Sequence, residues 1–180
     1  MNEVLTRRKH CYGWWNVIDY AGNEIKEFEG CLSCAYVNHK FSLPAGMAFE
    51  NDMFTLSQDW ELPITGFYVV TPKLHVENLC ELTDDERNAM FKLVNETVKI
   101  LKTCGVCKFY NIIFEEKPTS HLHVWIMPRH DWMKELFGNP TKQIRNVFDY
   151  AKANLRTPDT FKKIKEITNT LKSELKKTSF

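Results

Sequence analysis

No stretch of this sequence is apolar for long enough to span a bilayer. No apolar segment follows the basic N-terminal run MNEVLTRRKH, so no secretory signal is expected, and the default location is the cytoplasm. An excess of one charge sign is lacking too. Lys and Arg number 24 against 23 Asp and Glu, a net charge of +1, which gives no reason to expect DNA or a membrane surface as a partner. Internal repeats and low-complexity segments are also absent. Cysteine, by contrast, is plentiful at six residues, and in a cytoplasmic chain metal binding or plain burial explains it better than disulfides. Two pairs have C-x-x-C spacing: Cys31 with Cys34, and Cys104 with Cys107. A zinc ribbon would use both pairs, but ribbon pairs stand about 15–20 residues apart and these are far more distant. Cys104 precedes Gly105 at an expected helix end, so the second pair reads as structural.

At 180 residues, 43% hydrophobic and 26% charged, the chain has the balance of one globular domain with an extension. Gly13, Gly22 and Gly30 mark turns that predict a short hairpin leading into Cys31. Residues 46–58 read as two strands around Glu50-Asn51-Asp52. Residues 66–71 form a compact β-rich run closed by Pro72, and this predicts a buried strand. Thr83 and Glu86 have capping-box spacing and open the clearest helix, with Met90, Phe91, Val94, Val98 and Leu101 on one face and Gly105 as its stop. Residues 109–114 form a strand, residues 115–120 a tight connection containing Pro118, and residues 121–127 a strand stopped by Pro128. This is α+β organisation around one antiparallel sheet.

The tail differs. Residues 140–155 read as helical. Thr157 as N-cap and Pro158 at the first helical position then start another helix, with Phe161, Ile164, Ile167, Leu171 and Leu175 apolar. Such a helix docks on the body or on a second copy more often than it serves as a nucleic-acid arm.

The chemistry-bearing segment is His121-Leu122-His123-Val124-Trp125. On a strand, residues 121, 123 and 125 share one face, while Leu122, Val124 and Ile126 share a normal core face. The plain alternative is a half-buried strand with two chance histidines. Pro128-Arg129 closes the segment.

These residues resemble the signature of the histidine-triad superfamily, alternating histidines followed by Pro-Arg. Other features stand in that family's order. Val70-Thr71-Pro72-Lys73-Leu74-His75 resembles its strand end, Glu81-Leu82-Thr83 its helix start, Asp59 its ribose-binding acid, and Cys31-x-x-Cys34 its zinc-binding branches. The resemblance covers residues 31–134. It implies an antiparallel sheet with one long helix, residues 1–30 being an N-terminal extension and 135–180 a C-terminal helical one.

The resemblance also implies roles. Cys31, Cys34, His75 and His121 would bind Zn²⁺ in a closed, structural site, since two thiolates and two imidazoles fill a tetrahedron. His123 would attack phosphorus and form a nucleotidyl-histidine intermediate. Asp59 would bind ribose hydroxyls and Trp60 would cover the base. Asn111 and Ser120 are candidate donors to the phosphoryl oxygens, and each is equally readable as a strand-edge or turn residue.

Two departures stand out. Trp125 occupies the place of the third histidine of the family's hydrolases, and an indole cannot shuttle a proton. The connection Glu115-Glu116-Lys117-Pro118-Thr119 replaces the family's Gly-rich phosphate loop and adds negative charge, against which Lys117 and Arg129 would be the compensating cations. The expected function is that of a nucleotide-conjugate hydrolase or nucleotidyltransferase, with dinucleoside polyphosphates or nucleoside phosphoramidates as substrates. The alternatives are a catalytically weak nucleotide-binding scaffold, homodimerised through the sheet edge or the tail helices, and a zinc-stabilised RNA-binding module using the basic tail.

Overall fold

A computed structural model describes residues 14–116 and 121–178. The first two strands, β1 (Trp14–Ile18) and β2 (Glu24–Glu29), form the expected hairpin. Its turn is held by Asp19, whose carboxylate accepts from the backbone N–H groups of Ala21 and Asn23. A short helix, α1 (Leu32–Val37), follows at once, an element that alternation in the sequence does not announce.

The body is a five-stranded antiparallel sheet in the order β3-β4-β5-β7-β6. Its strands are β3 (Met47–Glu50), β4 (Phe54–Gln58), β5 (Tyr68–Pro72), β6 (Tyr110–Glu115) and β7 (His123–Pro128). The turn between β3 and β4 is the one expected: Asn51 Oδ1 accepts from the N–H groups of Met53 and Phe54.

Helix α2 (Asp84–Thr103) opens with the reciprocal Thr83–Glu86 capping box and stops where Gly105 takes φ +69, a left-handed conformation that suits glycine. Its buried positions are Met90, Leu93, Val94, Thr97 and Leu101. The expected face is therefore corrected at Phe91, which is 48% exposed on the flank of the helix and touches the Phe114 ring at 5.5 Å. Leu93, three residues before Glu96 on the sheet side, takes its place in the core.

Cross-strand register explains why one face of the sheet is core and the other is not. Leu56, Val70 and Val124 fall in one row, with Tyr68 beside Ile126, and all are fully buried beneath α2 and the last helix, α5 (Pro158–Leu175). Leu122, Val124 and Ile126 thus form the core face read from the sequence. Helix α5 starts at Thr157 and Pro158 as expected and contributes Leu171 and Leu175 to this same core. Tyr68 and Thr168 join β5 to α5 through a buried 2.8 Å hydroxyl contact.

On the opposite face, α3 (Asp131–Phe137) and α4 (Ile144–Asn154) bring Met133, Val147 and Ala151 against Leu62, Ile64, Phe67 and Met127, a second apolar cluster. Gly66 allows the turn into β5: at φ +86, a Cβ there would lie 2.5 Å from Val106 Cγ1. No helix among the described residues is long and apolar enough to cross a membrane.

Candidate functional site

Two groups of side chains occupy the sheet face opposite α2. The first comprises Cys31, Cys34, His75 and His121, whose four ligand atoms lie within 4.8 Å of one another. Cys31 is the N-cap of α1, its sulfur accepting from the Cys34 N–H at 3.4 Å, so the two thiols sit one turn apart on the same side. His75 lies three residues after β5, and His121 two residues before the start of β7.

Cys34 Sγ is 3.1 Å from His75 Nδ1 and 3.4 Å from His121 Nδ1, and Cys31 Sγ is 3.6 Å from His121 Nδ1. A tetrahedral ion with S and N ligands at ordinary bond lengths sets S···N edges of about 3.5 Å. The set of donors and their spacing therefore fit a zinc ion. His121 Nε2–H donates to the Pro72 carbonyl at 2.8 Å, which fixes the ring and turns its Nδ1 lone pair inward, as a metal-bound imidazole requires. The Cys31 thiol is pulled down to about 3, chiefly by its hydrogen bond with the Cys34 side chain and then by His121, against the opposing effect of burial. A thiol held this low is in the ligating form.

The second group lines a cleft of about 440 Å³ bordered by α1, the β4–β5 connection, the sheet and α4. His123 projects into it. Its Nδ1–H donates to the His121 carbonyl at 3.0 Å, leaving Nε2 as the cleft-facing nitrogen. Asp59 and Trp60 also line the cleft. Asp59 Oδ1 accepts from the N–H groups of Glu61 (3.0 Å) and Leu62 (2.9 Å). Burial nevertheless raises the Asp59 carboxyl to about 6, with those two bonds opposing the rise.

Trp125 forms an aromatic wall with Phe67 and Phe148, each 5.7 Å away, and with the His123 ring at the same distance. Glu61, on the rim, pairs with Lys152 of α4 at 2.5 Å.

The fold thus gathers Asp59, Trp60, His123 and Trp125 in one cleft, with His121 on its border. It does not bring Asn111 or Arg129 there. Asn111 sits four residues along β6 from the cleft, roughly 13 Å by strand rise, and donates to Thr141 Oγ1 at 3.2 Å. Arg129 lies beyond the far end of β7 and is exposed. Ser120 and Lys117 lie outside the described residues. The second cysteine pair joins no cluster of metal-binding type among the described residues: Cys107 Sγ is 2.8 Å from the Arg129 carbonyl oxygen.

Sequence reasoning does not single out Glu115 or Phe148 as site residues, although both line the cleft. Glu115 faces His123 across the β6–β7 ladder, and its Oε2 lies 2.9 Å from Nε2. The alternation of residues 111, 113 and 115 was available as a signal, but only the register between strands shows which histidine Glu115 meets.

A sheet with this strand order, a C-x-x-C helix and two histidines at the start of one strand define a histidine-triad fold. The chain is 30% identical over 124 residues to an uncharacterized HIT-like protein of Methanocaldococcus jannaschii, an alignment covering 65% of this chain and 91% of that one. Among solved structures it resembles a Zn-bound histidine triad family protein from Mycobacterium smegmatis, with a TM-score of 0.59, 17% identity and coverage of 83% of this chain and 97% of that one. A hypothetical histidine triad nucleotide-binding protein from Sulfolobus tokodaii gives a TM-score of 0.52 at 20% identity, covering 81% of this chain and 94% of the other. No family model matches the chain. The protein belongs to the HIT-like family of the histidine-triad superfamily.

Proposed function

We propose that the protein is a nucleotide-conjugate hydrolase or nucleotidyltransferase that works through a nucleotidyl-His123 intermediate, with dinucleoside polyphosphates as its substrate class and zinc as its structural metal. The observation carrying this reading is the fixed orientation of His123. Its Nδ1–H is committed to a backbone carbonyl, so Nε2, which lies 2.9 Å from Glu115 Oε2, is the nitrogen turned to the cleft.

Nε2 attacks the phosphorus, and the leaving group departs with its electron pair. Water or a second acceptor then displaces the histidine, so one difficult displacement becomes two easier ones. Asp59 Oδ2 accepts from the ribose hydroxyls while Oδ1 stays on the backbone. Trp60 and the Trp125–Phe148 wall enclose the base and exclude water. Cys31, Cys34, His75 and His121 would hold zinc, which would act there as a structural metal, anchoring α1 to the strand that carries His123. The Mycobacterium smegmatis relative, a zinc-bound protein of this fold, supports that assignment.

A catalytically weak nucleotide binder remains the second reading, favoured by the indole of Trp125 where the family's hydrolases have a third histidine. Acid-quench trapping separates the two. Radiolabelled nucleotide should remain attached to wild-type protein and not to His123→Asn. Tight nucleotide binding with no trapped label at any time point would decide for the binder.

A further inference from the structure

The proton bookkeeping of the cleft is unusual. His123 Nδ1 faces a carbonyl oxygen, an acceptor only, and so carries a hydrogen. His123 Nε2 lies 2.9 Å from a carboxylate oxygen of Glu115, the distance of a hydrogen bond in which one proton is shared by the two atoms. Both side chains are mostly buried, at 17% and 22% exposure, and both line the cleft.

The other polar groups there are committed or unsuited. Asp59 Oδ1 is held by two backbone N–H groups, Glu61 pairs with Lys152, and His121 Nε2–H is bound to Pro72. Trp125 has an N–H but no transferable proton, Gln58 Nε2 donates to the Leu62 and Ile64 carbonyls, and the cleft hydroxyls of Ser33, Tyr36, Ser57 and Thr71 are poor acids.

We propose that Glu115 is a catalytic residue: the carboxyl that protonates the leaving group and then takes the proton of the incoming water. This rests on the nucleotidyl-transfer reading above and supplies the acid that Trp125 cannot. In the first step Nε2 forms its bond to phosphorus while the shared proton stays on Glu115. The bond from phosphorus to the leaving oxygen breaks, and Glu115 passes its proton to that oxygen. In the second step water attacks phosphorus and gives a proton to the Glu115 carboxylate. The P–N bond breaks, its electron pair returns to Nε2, and the shared proton is restored. No other reactant is needed. Placement on β6, one strand over from the nucleophile, lets one carboxyl reach both positions in turn, because cross-strand neighbours on one face are separated by about 5 Å.

The test uses the full-length, metal-loaded protein with the 4-nitrophenyl and phenyl 5′-esters of AMP, GMP, CMP and UMP. 4-Nitrophenolate leaves without a proton, whereas phenolate is helped by one. Glu115→Gln should lose about 10²–10⁴-fold in phenyl ester turnover and far less in the first release of 4-nitrophenolate. That release should become a burst of one equivalent per chain, with labelled nucleotide accumulating on His123 because water attack is unassisted. Glu115→Asp, which keeps a carboxyl, should restore part of the phenyl ester rate. Melting temperature and zinc content serve as the folding control. An equal loss on both esters without a burst, or no loss at all, would overturn the role of Glu115 alone. Failure of wild-type protein to release either phenol from any of the four nucleotides would overturn the nucleotidyl-transfer reading and this inference with it.

Discussion

The metal cluster and the cleft share a single stretch of backbone, yet they are built on opposite principles. His121 and His123 are two residues apart and lie on the same side of the sheet. The first points into a closed set of four donors drawn from α1, the end of β5 and the start of β7. The second points into a cleft walled by α1, the β4–β5 connection, the sheet and α4. A closed site is specified by residue type: few side chains besides thiolate, imidazole and carboxylate will serve, so its members announce themselves. An open site is specified by position: a carboxylate, an indole or a phenyl ring takes its meaning from what lies across the strand. The two regions should therefore fail differently.

The largest effect is expected at His123, the proposed nucleophile. His123→Asn should lower turnover about 10⁴–10⁶-fold, with zinc content and melting temperature unchanged. A parallel drop in stability would mean that the cleft and the metal site are one cooperative unit, and the contrast drawn here would collapse.

The metal site should behave in the opposite way. Cys34→Ser should abolish zinc retention and cost about 4 kcal/mol or more, a fall in melting temperature of roughly 8–16 °C for a chain of this size. Elemental analysis and calorimetry on freshly purified protein check both. Normal melting after complete zinc loss would refute a structural role.

Asp59 should show a smaller effect, on the cleft side of the comparison. Asp59→Asn should reduce ribonucleotide affinity about 10–100-fold while leaving deoxyribonucleotide affinity nearly unchanged, which titration calorimetry would read. The same substitution has a stability signature. Burial raises this carboxyl from 3.8 to about 6, so the folded state holds its proton more tightly than the unfolded state. Its favourable contribution is complete below pH 3.8 and is lost as pH rises through about 6. Wild type should therefore lose up to about 3 kcal/mol between pH 4 and pH 7 that Asp59→Asn does not lose. Identical pH profiles would contradict the burial argument.

The smallest effect belongs to the second cysteine pair. Cys104→Ser should leave zinc stoichiometry untouched and alter stability by less than about 1 kcal/mol. Loss of zinc from that variant would return the ribbon reading rejected from spacing.

How far the sequence could be read follows from the same contrast. The capping box at Thr83, the Thr157-Pro158 helix start, the Asn51 turn and the alternation at residues 122, 124 and 126 are local signals, and each is realised as expected. The cluster of Cys31, Cys34, His75 and His121 was legible because metal-ligating chemistry is restrictive. Phe91 misled because helical spacing alone does not say which flank of a wide apolar stripe meets the sheet. Asn111 matched its family's position in sequence order, but position along a strand places it next to Thr141 and not at the cleft. Glu115 and Phe148 were missed for a common reason: each acquires its role from a register or a helix docking that spans many residues.

The contact between β5 and α5 bears on how the chain acquires its shape during synthesis. The sheet is complete once β7 has been made, but the helix packed on β3, β4 and Tyr68 begins at Pro158, 30 residues after β7 ends at Pro128. At ribosomal rates that interval lasts on the order of 2–6 s. Through that time one apolar face of a finished sheet waits without its full cover, exposed to other nascent chains. A truncation before Pro158 makes that condition permanent. The histidine-bearing segment would then carry every chemical group of the cleft and still be the form most prone to aggregate.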